Sequence, residues 1–265
     1  MSSQTASDSS NTLRVFWAVL YRDIYVTSKE LVTFLAQVIL QPLFLLFVFG
    51  RILTDLGYAQ PGYAELLFPG LVGLTAVVTG LQSSAFPLVI DFAYTKEIED
   101  RLLAPLPTDL VAVEKIVYSA LRALVACALM LPIGMLVLGS IPWRPENAPL
   151  FFLMVVLGAL VGSAMGLLMG TSVTANRINI VFSLVFTPLL FTGSSQYPWP
   201  SLDQMRWFQV VTALNPLTYV SEGLRAAMVP EVPHMPPAVC IAVLIVAIAG
   251  ISWGGMVGFR RRALD

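Results

Sequence analysis

Ala148-Pro-Leu-Phe-Phe-Leu-Met-Val-Val-Leu-Gly-Ala-Leu-Val-Gly-Ser-Ala-Met-Gly-Leu-Leu-Met-Gly-Thr-Ser-Val173 runs without a single charged side chain. A helix needs about 20 mostly apolar residues to cross a bilayer, and this stretch is long enough. The rest of the chain agrees with it. Of 265 residues, 57% are hydrophobic and only 12% are charged, and the mean hydropathy is +0.80. A soluble domain carries about 25% charged residues, so a chain this poor in charge could not cover itself in water. Lipid tolerates such a surface. Working outward, five more runs fit a span: 31–50, 66–90, 116–141 (interrupted only by Arg122), 178–197 and 238–259.

The stretch 205–229 is also apolar, but it holds Arg206, Pro216, Glu222 and Arg225. We read it as short, partly buried or re-entrant helices, because irregular backbone at membrane depth survives only under protein or water. Residues 1–11 are rich in Ser, Thr and Asp and are expected to form a disordered tail. They lack the basic and apolar regions of a signal peptide. From Thr12 the pattern changes. Leu13, Phe16, Trp17, Leu20 and Ile24 recur at helical spacing, which predicts a helix over 12–29 lying in the membrane interface.

Orientation follows the Lys and Arg residues near the span ends. With both termini cytoplasmic, ten of them fall inside, including Arg260, Arg261 and Arg262, and four fall outside: Arg51, Arg144, Arg206 and Arg225. The expected fold is therefore an all-α polytopic membrane protein. It has six transmembrane helices, an N-terminal interfacial helix, a cytosolic loop over 91–109 and an extracytoplasmic re-entrant segment over 198–236, with 12–265 as one domain.

Several chemistries are excluded. A P-loop needs a lysine after glycine, followed by Ser or Thr. Lys29, Lys96 and Lys115 follow Ser28, Thr95 and Glu114, so any ATP used must be hydrolysed by another chain. Neither a catalytic centre nor a metal site is expected. His234 is the lone histidine, set between prolines 233 and 236 in a loop, and Cys127 and Cys240 lie inside apolar runs. Arg122 is the one clear ionisable residue within a span. Its expected role is to reach the inner surface or to pair structurally, with a transport role as the alternative. It shares a heptad face with Lys115, while Glu114 is expected to meet a loop residue.

The inner loop is the densest charged region. Lys96, Glu97, Glu99, Asp100 and Arg101 alternate with Ile98, Leu102 and Leu103, and Pro105 and Pro107 end the segment. Such a helix either docks on another protein or is simply solvated. Gly158, Gly162, Gly166 and Gly170 recur every fourth residue, and Gly250, Gly254 and Gly258 repeat the pattern. Small stripes let helix backbones approach closely, between protomers or, as we favour, within one. Phe191-Thr-Gly-Ser-Ser-Gln-Tyr-Pro-Trp-Pro200 suits a helix breaking near the outer surface, and Asn215-Pro216 marks a helix start. Gln37, Gln41, Gln82 and Thr187 are candidates for a pathway that would suit an amphipathic cargo.

In this order, these features resemble the membrane subunit of ABC-2 type exporters over nearly the whole chain. Arg22-Asp23 resembles the end of the family's connecting helix, and Phe68-Pro69-Gly70-Leu71 its usual entry into span two. Residues 97–107 are similar to its coupling helix. Leu214-Asn215-Pro216-Leu217-Thr218-Tyr219, with Arg225 after it, resembles its outer Asn-Pro segment. Ile98-Glu99-Asp100 stands where the family often has Gly-Thr-Leu. The closest flavour is the daunorubicin/doxorubicin drug-resistance branch.

The resemblance implies an exporter in the bacterial cytoplasmic membrane. Two permease subunits, identical or different, would pair above two ATP-binding subunits, which hold the ATP and Mg. Residues 96–103 would sit in a cleft of the ATPase, whose closure would push on them and on the connecting helix. Spans one, two and five would line the pathway. Membrane lipid is expected around the chain, and no nucleic acid. An ion-coupled carrier or channel is the competing reading. A membrane-embedded enzyme has too few acid-base candidates to compete.

Overall fold

The computed structural model describes residues 2–29, 31–60, 62–95 and 107–264, and all their regular structure is helical. The helices are α1 (Ser2–Lys29), α2 (Leu31–Leu45), α3 (Tyr63–Ile90), α4 (Thr108–Leu138), α5 (Ala148–Ser172), α6 (Ile178–Thr192), α7 (Arg206–Ala213), α8 (Pro216–Met228) and α9 (Pro237–Leu264). α2 continues through a π-helical stretch, Leu46–Ile52, to a last turn at Leu53–Asp55. Six stretches among the described residues are long and apolar enough to cross a membrane. They are Val38–Asp55, Tyr63–Ala93, Thr108–Leu138, Pro145–Ser172, Ala175–Thr192 and Pro237–Ala263.

Several boundaries differ from the sequence expectation, for physical reasons. α1 begins at Ser2, so the stretch expected as a tail continues the same helix. Extending an existing helix costs far less than nucleating one, and nothing in 2–11 breaks it. The protein-facing side of α1 also differs. Leu20 and Asp23 are buried, while Trp17 and Tyr21 stay 63% and 71% exposed. α4 starts at Thr108, directly after Pro107, and so carries Glu114 and Lys115 within it. α6 stops at Thr192, short of Tyr197, because Ser194 turns into the left-handed region at φ +50°. The first span passes Gly50 and ends where Arg51 pairs with Asp55 at 2.9 Å.

The core sits around α3 and α5. In the most apolar window, α3 is 83% buried and α5 67%, against 17% for α2, 28% for α4, 11% for α6 and 17% for α9. Glycine explains how the two central helices meet. A Cβ at Gly162 would lie 2.2 Å from the Val77 carbonyl oxygen, and one at Gly166 2.5 Å from that of Leu81. From the other side, a Cβ at Gly80 would lie 2.7 Å from the Ala159 oxygen. The four-residue stripe on α5 is thus a seam against α3, with Gly170 facing Leu88 and Gly158 meeting both Ala76 and, more closely, Val220 of α8. The stripe on α9 meets α5 only in part. Gly250 faces open space, while Gly254 and Gly258 face Leu168 and Thr171, and Gly255, one position off the stripe, packs on Leu167.

The Arg-Arg-Arg run belongs to α9 itself. Arg262 donates to the carbonyls of Gly170 and Val173 at 2.9 and 2.8 Å, capping the C-terminal end of α5 with a cation. Arg260 pairs with Asp109 at the start of α4.

Candidate functional site

Two polar centres lie at opposite ends of α3. The first flanks the charged loop. The candidate coupling residues Lys96, Glu97, Ile98, Glu99, Asp100, Arg101, Leu102 and Leu103 lie outside the described residues, but both chain segments entering and leaving them are described. α3 passes into a π-helical turn, Asp91–Thr95, and the chain returns at Pro107 into α4. Lys115, two turns into α4, points between them. Its Nζ lies 3.3 Å from Asp91 Oδ2 and 3.4 Å from Asp23 Oδ2 of α1, and all three side chains are buried. One ammonium therefore ties the N-terminal helix to the ends of the second and third spans. Glu114 beside it is also buried. Sequence reading paired Lys115 with Arg122 on one face and did not find Asp23 or Asp91 as its partners. Those partners come from other helices, which no local spacing rule reaches.

The second centre closes the opposite end. Asn215 caps α8: its Oδ1 accepts from Leu217 N at 2.9 Å. Its Nδ2 donates to the Leu189 carbonyl at 3.1 Å and to Thr192 Oγ1 at 3.0 Å, fastening α8 to the end of α6. Pro216 takes the first helical position, where its missing N–H costs nothing. About two turns on, Glu222 and Arg225 form an ion pair with both side chains at 0% exposure. Arg225 also donates to the Ser194 carbonyl at 2.9 Å. Glu222 accepts from Trp199 N at 2.9 Å and from Met235 N at 3.0 Å. Burial pulls the Arg225 guanidinium below its ordinary value while Glu222 pulls it back up, and a group that basic stays charged. At the rim of this centre, burial pushes the Tyr197 phenol up to about 12, so it remains a neutral donor to the Phe191 carbonyl at 2.6 Å.

The loop held by Arg225 lies directly on α3. A Cβ at Gly70 would fall 1.9 Å from the Ser195 carbonyl oxygen, so only glycine fits there. Tyr63 donates to the Gln196 carbonyl at 3.1 Å. This gives Phe68-Pro69-Gly70 its physical role. Sequence reading singled out Asn215, Pro216 and Arg225 and missed Glu222 as the partner of Arg225. The separation of three residues was the available signal.

The candidate pathway residues do not all meet. Gln41 and Gln82 line one narrow gap between α2 and α3, together with Thr75 and Thr79. Thr187 is exposed on α6, away from them, and the Gln37 side chain lies outside the described residues.

The chain has counterparts among known proteins. Residues 14–229 match the family described as ABC-2 type transporter. The chain belongs to that family. An inner membrane transport permease of Escherichia coli strain K12, YadH, is 27% identical over 194 residues, covering 72% of this chain and 73% of YadH. A putative transport permease of Cyanophora paradoxa, ycf38, is 28% identical over 218 residues, covering 78% of this chain and 72% of that protein. As an ABC-2 type transport permease, the chain is a multi-pass membrane protein and not an enzyme. Both polar centres fall within the matched region apart from Met235, whose backbone amide bonds to Glu222.

Proposed function

We propose that this permease is the membrane-spanning subunit of an ATP-driven exporter that moves an amphipathic or lipid-like molecule out of the cytoplasm. Drugs, lipids and glycoconjugates belong to that class. A separate ATP-binding subunit, in two copies, holds ATP and Mg and docks on residues 96–103, and a second permease subunit completes the membrane part. Asn215, Pro216 and Arg225 hold the outer end shut, and Gln37, Gln41, Gln82 and Thr187 are carried as pathway residues. The chain lies in the bacterial inner membrane with both termini cytoplasmic, a reading supported by the excess of Lys and Arg on that side.

The observation that carries this reading is the Lys115 bridge. It joins α1 to the two spans that bracket the charged loop, so a push on the loop or on α1 reaches both spans at once. The large uncovered faces of α2 and α6 suit lipid or a second subunit. The test is to co-express the chain with the candidate ATPase, purify them together and measure hydrolysis and vesicle transport. Copurification with cargo-stimulated hydrolysis is expected. Transport driven by an ion gradient without ATP would make the protein an ion-coupled carrier instead.

A further inference from the structure

Arg122 lies two turns beyond Lys115 on α4, and its guanidinium sits 4.0 Å over the Phe34 ring and 5.7 Å from that of Tyr118. Its Nε is enclosed and has no hydrogen-bond partner, and no carboxylate among the described residues pairs with it. The residue as a whole is half-buried, in an otherwise apolar bundle. Intramembrane arginines pair with an anion or face a water-filled cavity, because an uncompensated charge there is expensive. An aromatic face compensates in part. Arg122 also faces a cavity of about 430 Å³ between α2, α3 and α4, lined by Phe34, Val38, Gln82, Ser83 and Phe86. That volume suits a small ligand or a headgroup with part of its tail.

The lining is divided by chemistry. Arg122, Gln82 and Ser83 supply polar groups, and Phe34, Val38 and Phe86 supply apolar walls. The narrower gap lined by Gln41, Thr75 and Thr79 continues from Gln82 along the α2–α3 seam. The cavity lies in the same half of the bundle as the Lys115 bridge, since Phe34 is in the first turn of α2 and Phe86 near the end of α3.

We propose that this cavity binds the anionic headgroup of an amphipathic molecule, a phosphate or carboxylate held by Arg122 with its apolar part against Phe34, Val38 and Phe86. A guanidinium presents forked donors that match such oxyanions, and the ligand supplies the counter-charge that no described carboxylate gives. The inference rests on the export reading for its biological sense and narrows the cargo to acidic amphiphiles, but binding itself requires no ATPase.

The test uses the full chain in phosphatidylcholine nanodiscs, titrated with tail-labelled phosphatidylglycerol or tail-labelled phosphatidylcholine. Saturable binding of phosphatidylglycerol alone is expected. Arg122→Gln should weaken it by roughly tenfold or more, and Arg122→Lys by less. Lysophosphatidylglycerol should displace the label, and inorganic phosphate should not. Equal binding of both labelled lipids to the unaltered chain overturns the proposal without any variant. So does unchanged binding in a folded Arg122→Gln protein, or displacement by phosphate while the lysolipid fails. Loss of ATP-driven export with binding intact would count against the exporter reading alone.

Discussion

The two polar centres at the ends of α3 each set a basic side chain against buried carboxylate but are held very differently. At the Asn215–Arg225 end, the buried ion pair is surrounded by backbone donors and acceptors at 2.9–3.0 Å, and glycine lets the Ser195 carbonyl rest on α3. At the Lys115 end, one ammonium reaches two carboxylates at 3.3–3.4 Å, and an open cavity lies two turns away. Contacts of the first kind allow one arrangement. Contacts of the second kind lie at the long edge of charge-assisted bonding, and losing one carboxylate leaves the ammonium the other. The difference assigns fixed structure to one end of the permease and adjustable structure to the end that flanks the charged loop.

The comparison can be broken first where it is strictest. Gly70→Leu would drive a side chain into the Ser195 backbone, and we expect no monodisperse protein by gel filtration, against a normal yield for Asp91→Asn. Next, Glu222→Gln strands the Arg225 charge at 0% exposure, at a cost of about 3–5 kcal/mol. A fall in detergent melting temperature reads this, and adding Arg225→Met should recover most of it. Asn215→Ala removes a helix cap, about 1–2 kcal/mol, and should loosen the α6–α8 junction in hydrogen exchange. The smallest stability effect is expected at the adjustable end. Asp23→Asn should cost about 1 kcal/mol, since Lys115 keeps Asp91, yet it should reduce transport in vesicles more than Asn215→Ala does. Equal losses of stability at Asp23 and Glu222 would erase the distinction.

The sequence made one of these ends easier to read than the other. Hydropathy placed the six spans, and the four-residue glycine stripe marked the face of α5 that meets α3, because both signals are periodic and local. Asn215 and Pro216 were readable because capping is decided within a few residues. The Lys115 bridge was not, since Asp23 and Asp91 approach it from separate helices and share no spacing with it. Arg262 read only as one of the positive charges on the inner side, whereas it caps α5. Helix starts at Ser2 and Thr108 were missed for a related reason: hydropathy marks where a helix enters lipid, not where its hydrogen bonds begin. Thr187 was grouped with Gln41 and Gln82 on side-chain type alone, and the fold separates them.

Adjustability at the Lys115 end has meaning only if force arrives through the loop beside it. The direct measurement is transport and ATP hydrolysis, in the same vesicles, by the permease–ATPase complex carrying Glu97→Lys and Glu99→Lys together. The account expects normal membrane insertion, continued hydrolysis and loss of export. Unchanged export with both charges reversed would contradict it.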